Sequence, residues 1–157
     1  MVVYLLLGSN IEPRIDFFNK AKALLAEKVG AILQTSALYQ TAAWGNENQA
    51  DFLNQALKVE TTLEPIQLLE TIKYIETLTG RKQHEHWGAR EIDIDILLIE
   101  SLTFKSASLE IPHPQLHNRR FALTPLAEIA GDVIHPIFNK TVAELLKECE
   151  DDKDVDM

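Results

Sequence analysis

The stretch that decides the fold reads His86-Trp87-Gly88-Ala89-Arg90-Glu91-Ile92-Asp93-Ile94-Asp95-Ile96. Its second half alternates between apolar and acidic residues, as expected for a β-strand, whose side chains point to opposite faces in turn. The apolar residues continue to position 99, which is typical of an interior strand. Carboxylates on such a strand are costly unless a cation compensates them, and Asp93 and Asp95 are spaced to share a pair of divalent ions. A solvated strand face with ordinary surface charges is an equally weighted alternative.

Positive charge and a flat aromatic side chain come just before this strand. Arg81 and Arg90 flank a short polar loop that contains Trp87 and Gly88. Arginine presents a planar fork that matches phosphate oxygens. The acid pair, the arginines and the tryptophan together indicate metal-assisted chemistry on a polyphosphate, although a scattered surface residue is the default interpretation of any one arginine.

Outward from this strand, hydrophobic periodicity predicts the order of the other elements. Strands are predicted at 2–7, 31–41, 51–62 and 92–99, and helices at 12–28 and 65–79, with further helices after residue 116. The order strand-helix-strand-strand-helix-strand is the split βαβ pattern. We therefore predict a single α+β domain over residues 1–150, with a ferredoxin-like βαββαβ core in which helices flank an antiparallel sheet. The acidic residues 151–157 are predicted to form a frayed, solvated tail.

The bulk properties exclude several classes of protein. The chain of 157 residues carries a formal net charge of −9, which argues against a general nucleic-acid binder. No apolar run approaches the roughly 20 residues that span a bilayer, and the apolar N-terminus lacks the basic residues of a signal peptide. Cys149 is the only cysteine, so no internal disulfide is expected. We expect a cytoplasmic protein without nucleic-acid or membrane partners.

Four aromatic side chains lie in or beside predicted loops, where two flat side chains could sandwich a flat heterocycle. They are Trp44, Phe52, Trp87 and Phe121. Each of them alone is more often part of the core. Asn54 is a polar residue within a predicted strand, and its amide both donates and accepts, which suits the edge of a pterin or purine ring. An asparagine satisfied by neighbouring backbone is the equally weighted alternative.

Candidate phosphate contacts lie further along the chain. His113 stands between two prolines, which fix the local backbone, and it could donate to a phosphate oxygen. A lone histidine in a turn is more often a surface residue, and the same holds for Arg119. The glycine at position 8 is followed by neither the lysine nor the second glycine of a Walker A motif, and no kinase-type glycine loop is present. A nucleotide would therefore be held by a different cradle.

Taken in order, these motifs resemble those of the 6-hydroxymethyl-7,8-dihydropterin pyrophosphokinase family of the folate pathway. The signature is the run W-G-x-R-x-[ILV]-D-[ILV]-D-[ILV], which starts here at Trp87 and is very specific. The resemblance extends over nearly the whole chain. The other matching segments are Leu7-Gly8-Ser9-Asn10, Ser36-Ala37-Leu38-Tyr39-Gln40-Thr41, Asp51-Phe52-Leu53-Asn54, Ile75-Glu76, Ile111-Pro112-His113-Pro114, Asn118-Arg119-Arg120-Phe121 and Pro125-Leu126-Ala127-Glu128-Ile129-Ala130.

The resemblance implies an ATP-dependent diphosphotransferase, that is, a pyrophosphokinase. It would transfer the terminal pyrophosphoryl unit of ATP to the hydroxymethyl group of the dihydropterin and release AMP. Two Mg²⁺ ions held by Asp93 and Asp95 would bridge the ATP phosphates, and Arg81 and Arg90 on a mobile loop would close over them. The implied partners are these two small-molecule substrates, and the expected oligomeric state is a monomer.

The resemblance also implies which residues contact each substrate. The implied catalytic residues are Arg81, Arg90, Asp93 and Asp95, and the two aspartates are also the implied metal ligands. The residues expected to contact ATP are Glu76, Trp87, Arg90, Ile96, His113 and Arg119. The residues expected to contact the pterin are Thr41 and Ala42, through their backbone, and Trp44, Phe52, Asn54, Trp87, Asp95 and Phe121.

The chain departs from the family pattern near the predicted loop. Ala89 and His86 stand where the family usually has proline and arginine, and Ser108 replaces a frequent basic residue. The loop from Arg81 to Trp87 also looks about one residue shorter than in relatives. Ala89 and this shorter loop leave a catalytically impaired relative as one alternative, which the intact acid pair disfavours. A non-catalytic ferredoxin-like module, such as an RNA-binding domain, is another. It should show exposed aromatic side chains on a basic sheet face, whereas this chain has an acid pair.

Overall fold

The computed structural model of the chain describes residues 1–41, 51–80 and 92–157. In chain order the elements are β1 (Val2–Ser9), α1 (Arg14–Lys28), β2 (Gly30–Thr35), β3 (Tyr39–Thr41), β4 (Phe52–Thr61), α2 (Pro65–Leu78), β5 (Asp93–Ile99), β6 (Phe104–Lys105), β7 (Glu110–Ile111), a turn of 3-10 helix (Leu116–Asn118), α3 (Arg120–Ala130), β8 (Ile134–His135), β9 (Lys140–Thr141), α4 (Val142–Glu148) and β10 (Val155–Asp156). None of the described helices is long and apolar enough to cross a membrane.

Strand β1 lies at the centre of the main sheet. It pairs antiparallel with β4 on one side and with β5 on the other. Strands β2 and β3 both pair with β4, so they form two halves of one interrupted strand. Strand β10 adds to the outer edge of β3. This antiparallel order and its flanking helices confirm the prediction of an α+β, ferredoxin-like fold.

Each face of the sheet is covered by its own hydrophobic core. Leu5 and Leu7 of β1 belong to the core formed with α1 and α2, whereas Tyr4 and Leu6 belong to the core formed with α3 and α4. This alternation is the period of two expected for a strand between two layers of helices. A fully buried leucine contributes about 1.5–3 kcal/mol to stability, so both layers hold the sheet strongly. The sheet face that packs against α3 and α4 is called the α3 face below.

A β-bulge in β5 explains its unbroken apolar run. The pairing with β1 shifts register between Tyr4 and Leu5, which leaves Leu97 as an extra residue on β5. Leu97 and Leu98 therefore both belong to the core on the α3 face, and Ile99 returns to the opposite core. The first half of β5 keeps the strict alternation that the sequence predicts.

The prediction of an interior strand for residues 92–99 is wrong, because β5 lies at the edge of the sheet. Strand β1 is its neighbour on one side, and no described strand pairs with its other side. The apolar run instead reflects burial of both strand faces by helices. Two contacts cover the open edge. The Ile94 N–H donates to a Glu76 carboxylate oxygen over 2.8 Å, and the His113 N–H donates to the Leu97 carbonyl over 3.0 Å.

The predicted strand at 31–41 is interrupted near Ser36, where the pattern of apolar residues also breaks. The Ser36 N–H donates to the Ala56 carbonyl, and the Ala56 N–H donates to the Ser36 hydroxyl, both over 2.9 Å. The side chain thus replaces a backbone acceptor, and the chain stays tied to β4 across the break. As a result, β3 begins at Tyr39 in the register that the site requires.

The prediction of a frayed tail at 151–157 is wrong, because the main chain of this segment pairs with a strand of the sheet. Strand β10 pairs antiparallel with β3, with Val155 opposite Thr41 and Asp156 opposite Gln40. An acidic composition predicts solvated side chains, but it does not prevent backbone pairing with the open edge of a strand. The Arg120 guanidinium also donates to two carbonyls at the base of the tail.

Candidate active site

One row of residues runs across four strands on the α3 face. Asn54 is paired with Tyr39 on one side and with Gly8 on the other. Gly8 is in turn paired with Asp93. Paired residues of antiparallel strands project to the same face. Neighbouring strands lie about 4.8 Å apart, so about 10 Å separates the backbones at Asn54 and Asp93. The row brings a predicted pterin contact and a predicted metal ligand to one end of the same face.

The neighbouring rows carry more of the predicted site. Thr41 is paired with Phe52, and Asp95 is paired with Leu6, whose side chain lies in the core on the α3 face. Phe121, in the first turn of α3, packs half-buried against that same core. Those residues assigned to the pterin and to the metal that the structure describes therefore lie on one face, although they come from four separate segments of the chain.

Gly8 leaves space beside the Asn54 amide. A Cβ atom at position 8 would lie 3.0 Å from Asn54 Oδ1 and 3.8 Å from Phe52 Cδ1. Asn54 is only 3% exposed, and its buried Nδ2 has no hydrogen-bond partner among the described residues. A buried amide without a partner is costly in the free protein. It therefore suits a ligand that brings an acceptor atom, as the polar edge of a flat heterocycle does.

The two aspartates flank a residue that is fixed on the opposite side of the strand. Asp93 and Asp95 are half-buried, whereas Ile94 is buried in the core under α1 and α2. The Ile94 N–H donates to Glu76, whose side chain is only 7% exposed. Glu76 thus fixes the backbone between the aspartates. It also places its own negative charge beside theirs, which favours a bound cation.

A cavity of about 460 Å³ runs along the open edge of β5. Its volume falls within the range of sites for drug-sized and cofactor-sized ligands. Both predicted metal ligands line it, and so do three of the residues predicted to contact ATP. The full lining is Leu69, Ile72, Lys73, Glu76, Asp93, Ile94, Asp95, Ile96, Ser106, Ala107, Ser108, Leu109, Glu110, His113 and Pro114.

Two parts of this lining were missed from the sequence. Lys73 lies three residues before Glu76 and therefore on the same face of α2, so helical spacing from Glu76 would have found it. The turn at 106–109 between β6 and β7 contains no charged residue, and the sequence singles out only Ser108 in it, as a departure from the family pattern. Only the pairing of Phe104 with Ile111 brings this turn to the cavity.

His113 is a neutral hydrogen-bond donor at neutral pH. Burial, and secondarily the charge of Arg119, lower the pKa of His113 to about 4. The Gln115 N–H donates to His113 Nδ1 over 3.1 Å, so in the neutral ring the proton resides on Nε2. A neutral imidazole with a donor at Nε2 can bind a phosphate oxygen without a change of protonation state.

We expect the ring of His113 to remain neutral down to about pH 4. Nitrogen NMR should show an unprotonated Nδ1 and a protonated Nε2 at pH 7.

Folding lowers the pKa of His113 below its unfolded value, so the unfolded chain binds more protons between about pH 4 and 6.5. The stabilising contribution of His113 should be fully present above pH 6.5 and should be lost as the pH falls towards 4. Burial and nearby His117 also lower the pKa of His135, so a His113→Gln variant is needed to assign the signal. A ring that titrates near pH 6.5 would contradict the assignment.

Arg119 interacts both with His113, which lines the cavity, and with the aromatic ring of Phe121. Its guanidinium carbon lies 5.7 Å from the centroid of the Phe121 ring, and its charge acts on His113. A cation at this distance from a ring face is weakly attracted to it. Arg119 directly precedes α3, so the start of that helix supplies one residue predicted for each substrate.

Five predicted site residues lie outside the described residues. These are Ala42, Trp44, Arg81, Trp87 and Arg90. Their assigned roles stay predictions.

Comparison with known proteins agrees with the resemblance seen in the sequence. The family model described as 7,8-dihydro-6-hydroxymethylpterin-pyrophosphokinase (HPPK) matches residues 4–131. A relative from Aquifex aeolicus is 47% identical over 146 residues, which is 93% of this chain and 91% of the relative. One from Bacillus subtilis is 40% identical over 133 residues, which is 84% of this chain and 80% of the relative. Both are named 2-amino-4-hydroxy-6-hydroxymethyldihydropteridine pyrophosphokinase.

Solved structures support the fold. A structure of wild-type HPPK-DHPS from Plasmodium falciparum is similar to this chain with a TM-score of 0.77 and 18% sequence identity. A second structure of that protein, with pteroate, gives a TM-score of 0.76. Each comparison covers 94% of this chain but less than half of the larger chain, 44% and 42% respectively.

Proposed function

Because the chain belongs to the 7,8-dihydro-6-hydroxymethylpterin-pyrophosphokinase family and is an ATP-dependent pyrophosphokinase, we propose that it transfers the terminal diphosphate of ATP to 6-hydroxymethyl-7,8-dihydropterin in folate biosynthesis and releases AMP. The observation that carries this proposal is the row on the α3 face. It joins Asn54, whose Nδ2 has no hydrogen-bond partner in the described part of the chain, to the acid pair, and the acid pair lines a cavity of about 460 Å³.

The proposed reaction exchanges one phosphorus–oxygen bond for another. The hydroxymethyl oxygen of the pterin forms a bond to the β-phosphorus of ATP. The bond from that phosphorus to the oxygen bridging the α- and β-phosphates breaks, and this oxygen leaves on AMP. The hydroxyl proton passes to solvent. Such transfers depend mainly on alignment of the reacting atoms and on stabilisation of charge, which are what a rigid strand and fixed polar groups provide.

The acid pair fits the two Mg²⁺ ions that the family implies. Magnesium prefers oxygen ligands and is commonly held by one or two carboxylates together with substrate phosphates. Asp93 and Asp95 supply two carboxylates at the border between the row and the cavity. Bound there, the ions would neutralise phosphate charge and make the pterin hydroxyl more acidic. Glu76 would maintain the backbone between the two ligands.

The remaining residues would bind and enclose the substrates. We propose that His113 donates from Nε2 to a phosphate oxygen and that Arg119 adds positive charge beside it. Ile96 would contact the nucleotide in the cavity. Arg81, Arg90 and Trp87 would close over the phosphates and exclude water. Thr41, Ala42, Trp44, Phe52, Asn54 and Phe121 would hold the pterin ring.

Two further proposals concern the state of the protein in the cell. We propose that it acts as a monomer, because both substrate sides of the site come from one chain. A cytoplasmic location agrees with a single cysteine and with the absence of a membrane-spanning helix from the described residues.

The decisive experiment is to identify the adenine nucleotide produced. With ATP, Mg²⁺ and the hydroxymethyl-dihydropterin, the purified protein should form AMP and the pterin diphosphate in equal amounts, measured by phosphorus NMR and chromatography. Reactions that lack the pterin or Mg²⁺ should form no AMP. Production of ADP would exclude diphosphate transfer, and AMP formed without the pterin would indicate hydrolysis. A folded protein without turnover would favour the impaired-relative alternative.

A further inference from the structure

The C-terminal residues 149–156 connect the start of α3 to β3. The Arg120 N–H donates to Asp151 Oδ2 over 3.1 Å, and its Nε donates to the Asp151 carbonyl over 2.7 Å. Its Nη2 donates to the Cys149 carbonyl over 2.9 Å. Further along, the Thr41 hydroxyl donates to the Asp154 carbonyl over 3.2 Å. One short segment therefore contacts two of the structural units that carry predicted pterin residues, β3 with Thr41 and α3 with Phe121.

The contact with Asp151 acts on the first turn of α3. The Arg120 N–H is the first donor of the helix and has no partner within it. An acidic side chain that accepts this bond stabilises the helix start through both the hydrogen bond and the helix dipole. Asp151 Oδ1 also accepts from the Lys153 N–H over 3.1 Å, which makes the tail turn towards β3. The carboxylate thus orients the turn that contains Phe121.

A second contact holds the other end of β3 to the same helix. The Tyr39 hydroxyl donates to Glu128 Oε1 over 2.6 Å, and the Ala37 N–H donates to the same carboxylate. This hydrogen bond, together with burial and the Glu128 charge, raises the pKa of Tyr39 to about 12, so the hydroxyl remains a donor. Tyr39 is thus anchored to α3 directly, whereas the hydroxyl of Thr41 donates to the segment 149–156, which in turn contacts the start of α3.

We propose that Asp151 is a positioning residue for the pterin side of the active site. Through residues 149–156 it holds Thr41 of β3 and Phe121 of α3 at the spacing that the pterin ring requires. This inference rests on the proposed function and adds to it a segment that the motifs do not include. The nucleotide cavity lies at the opposite edge of the sheet, and Arg119 is the one predicted ATP contact beside the start of α3, so the effect on pterin binding should exceed the effect on ATP binding.

The test compares Asp151→Ala with Asp152→Ala, a neighbouring variant that removes the same charge from an exposed side chain. The KM for the hydroxymethyl-dihydropterin should rise about tenfold in Asp151→Ala, because small displacements of positioning groups carry large costs. The KM for ATP should rise clearly less than the KM for the pterin, because the cavity lies at the opposite edge of the sheet and Arg119 is the one predicted ATP contact beside Arg120. Asp151→Asn keeps one of the two acceptor oxygens and should give an intermediate KM. Asp152→Ala should behave like wild type.

Stability and direct pterin binding separate this role from a purely structural one. Circular dichroism and thermal unfolding report the fold, and pterin fluorescence at 25 °C reports the dissociation constant. A lower Tm with unchanged pterin affinity would overturn the inference, as would equal effects of Asp151→Ala and Asp152→Ala or a matching rise in the KM for ATP. If Asp151→Ala does not fold, Asp151→Asn decides by the same criteria. A wild-type protein that neither binds the pterin nor forms AMP would overturn the proposed function itself.

Discussion

Replacement of Asp95 by alanine is expected to lower kcat by about 10³-fold, because a charged group that stabilises the transition state is commonly worth this much. The side chain is half-buried beside Leu6 and lies two residues from the like charge of Asp93. The variant should keep its fold, since removal of one of two neighbouring negative charges relieves repulsion. AMP formation measures kcat, and circular dichroism with thermal unfolding verifies the fold.

A matched control for this variant is available on the same sheet. Glu60→Ala removes an exposed acid from the far end of β4, opposite Val2. It should leave kcat unchanged, because the acid lies away from the site. Substantial turnover by Asp95→Ala would mean that the metal ions are held elsewhere. A folded Asp95→Ala protein with the Mg²⁺ dependence of wild type would lead to the same conclusion.

Replacement of Asn54 by leucine is expected to abolish pterin binding without a loss of stability. The buried Nδ2 of Asn54 has no partner among the described residues, so an apolar side chain with the same branched shape removes a desolvation cost of about 1–3 kcal/mol. The same change removes the group assigned to the polar edge of the pterin. Affinity for the pterin should fall at least about 100-fold, as when a site loses a specific hydrogen-bonding group. Urea unfolding and pterin fluorescence measure the two quantities.

Gln55, the residue after Asn54, is a buried amide whose nitrogen and oxygen both have hydrogen-bond partners. Gln55 Nε2 donates to the Ser36 carbonyl over 2.7 Å, and its Oε1 accepts from Lys22 over 3.1 Å. Gln55→Leu should therefore lose about 1–3 kcal/mol of stability, because it leaves buried polar groups without partners. Its side chain points to the other face of the sheet, so pterin affinity should change little. If Asn54→Leu were destabilised as much as Gln55→Leu, Asn54 would be a structural residue rather than a ligand contact.

Periodicity predicted the helices and the central strands because these depend on which residues are buried. Periodicity did not predict how many strands pair with β5, which lies at the edge of the sheet. The apolar run from Ile96 to Ile99 looks the same whether a strand is buried by two paired strands or by two layers of helices. The bulge at Leu97 depends on pairing with β1, which is a long-range property. The tail shows the same limit, since its side chains are polar while its backbone pairs with β3.

The site was predictable where one motif or one type of residue carries the chemistry. Asp93 and Asn54 lie on one face of the sheet, and Asp93 and His113 line one cavity, so the fold brings these predicted residues together while their roles stay predictions. Residues that act through geometry were not predictable. Glu128 accepts from the Ala37 N–H, 91 positions away, and Asp151 accepts from the Arg120 N–H, 31 positions away, and no local sequence pattern marks such partners.

The two contacts that cover the open edge of β5 also bear on how the protein behaves in solution. An uncovered edge strand is a template for pairing with another chain. Here the Glu76 carboxylate and the backbone of His113 occupy two hydrogen-bonding groups of that edge, the Ile94 N–H and the Leu97 carbonyl. Substitutions at Glu76 should therefore promote self-association as well as weaken catalysis. Activity lost in cell extracts by such variants would partly reflect less soluble protein, so specific activity must be measured on monodisperse material.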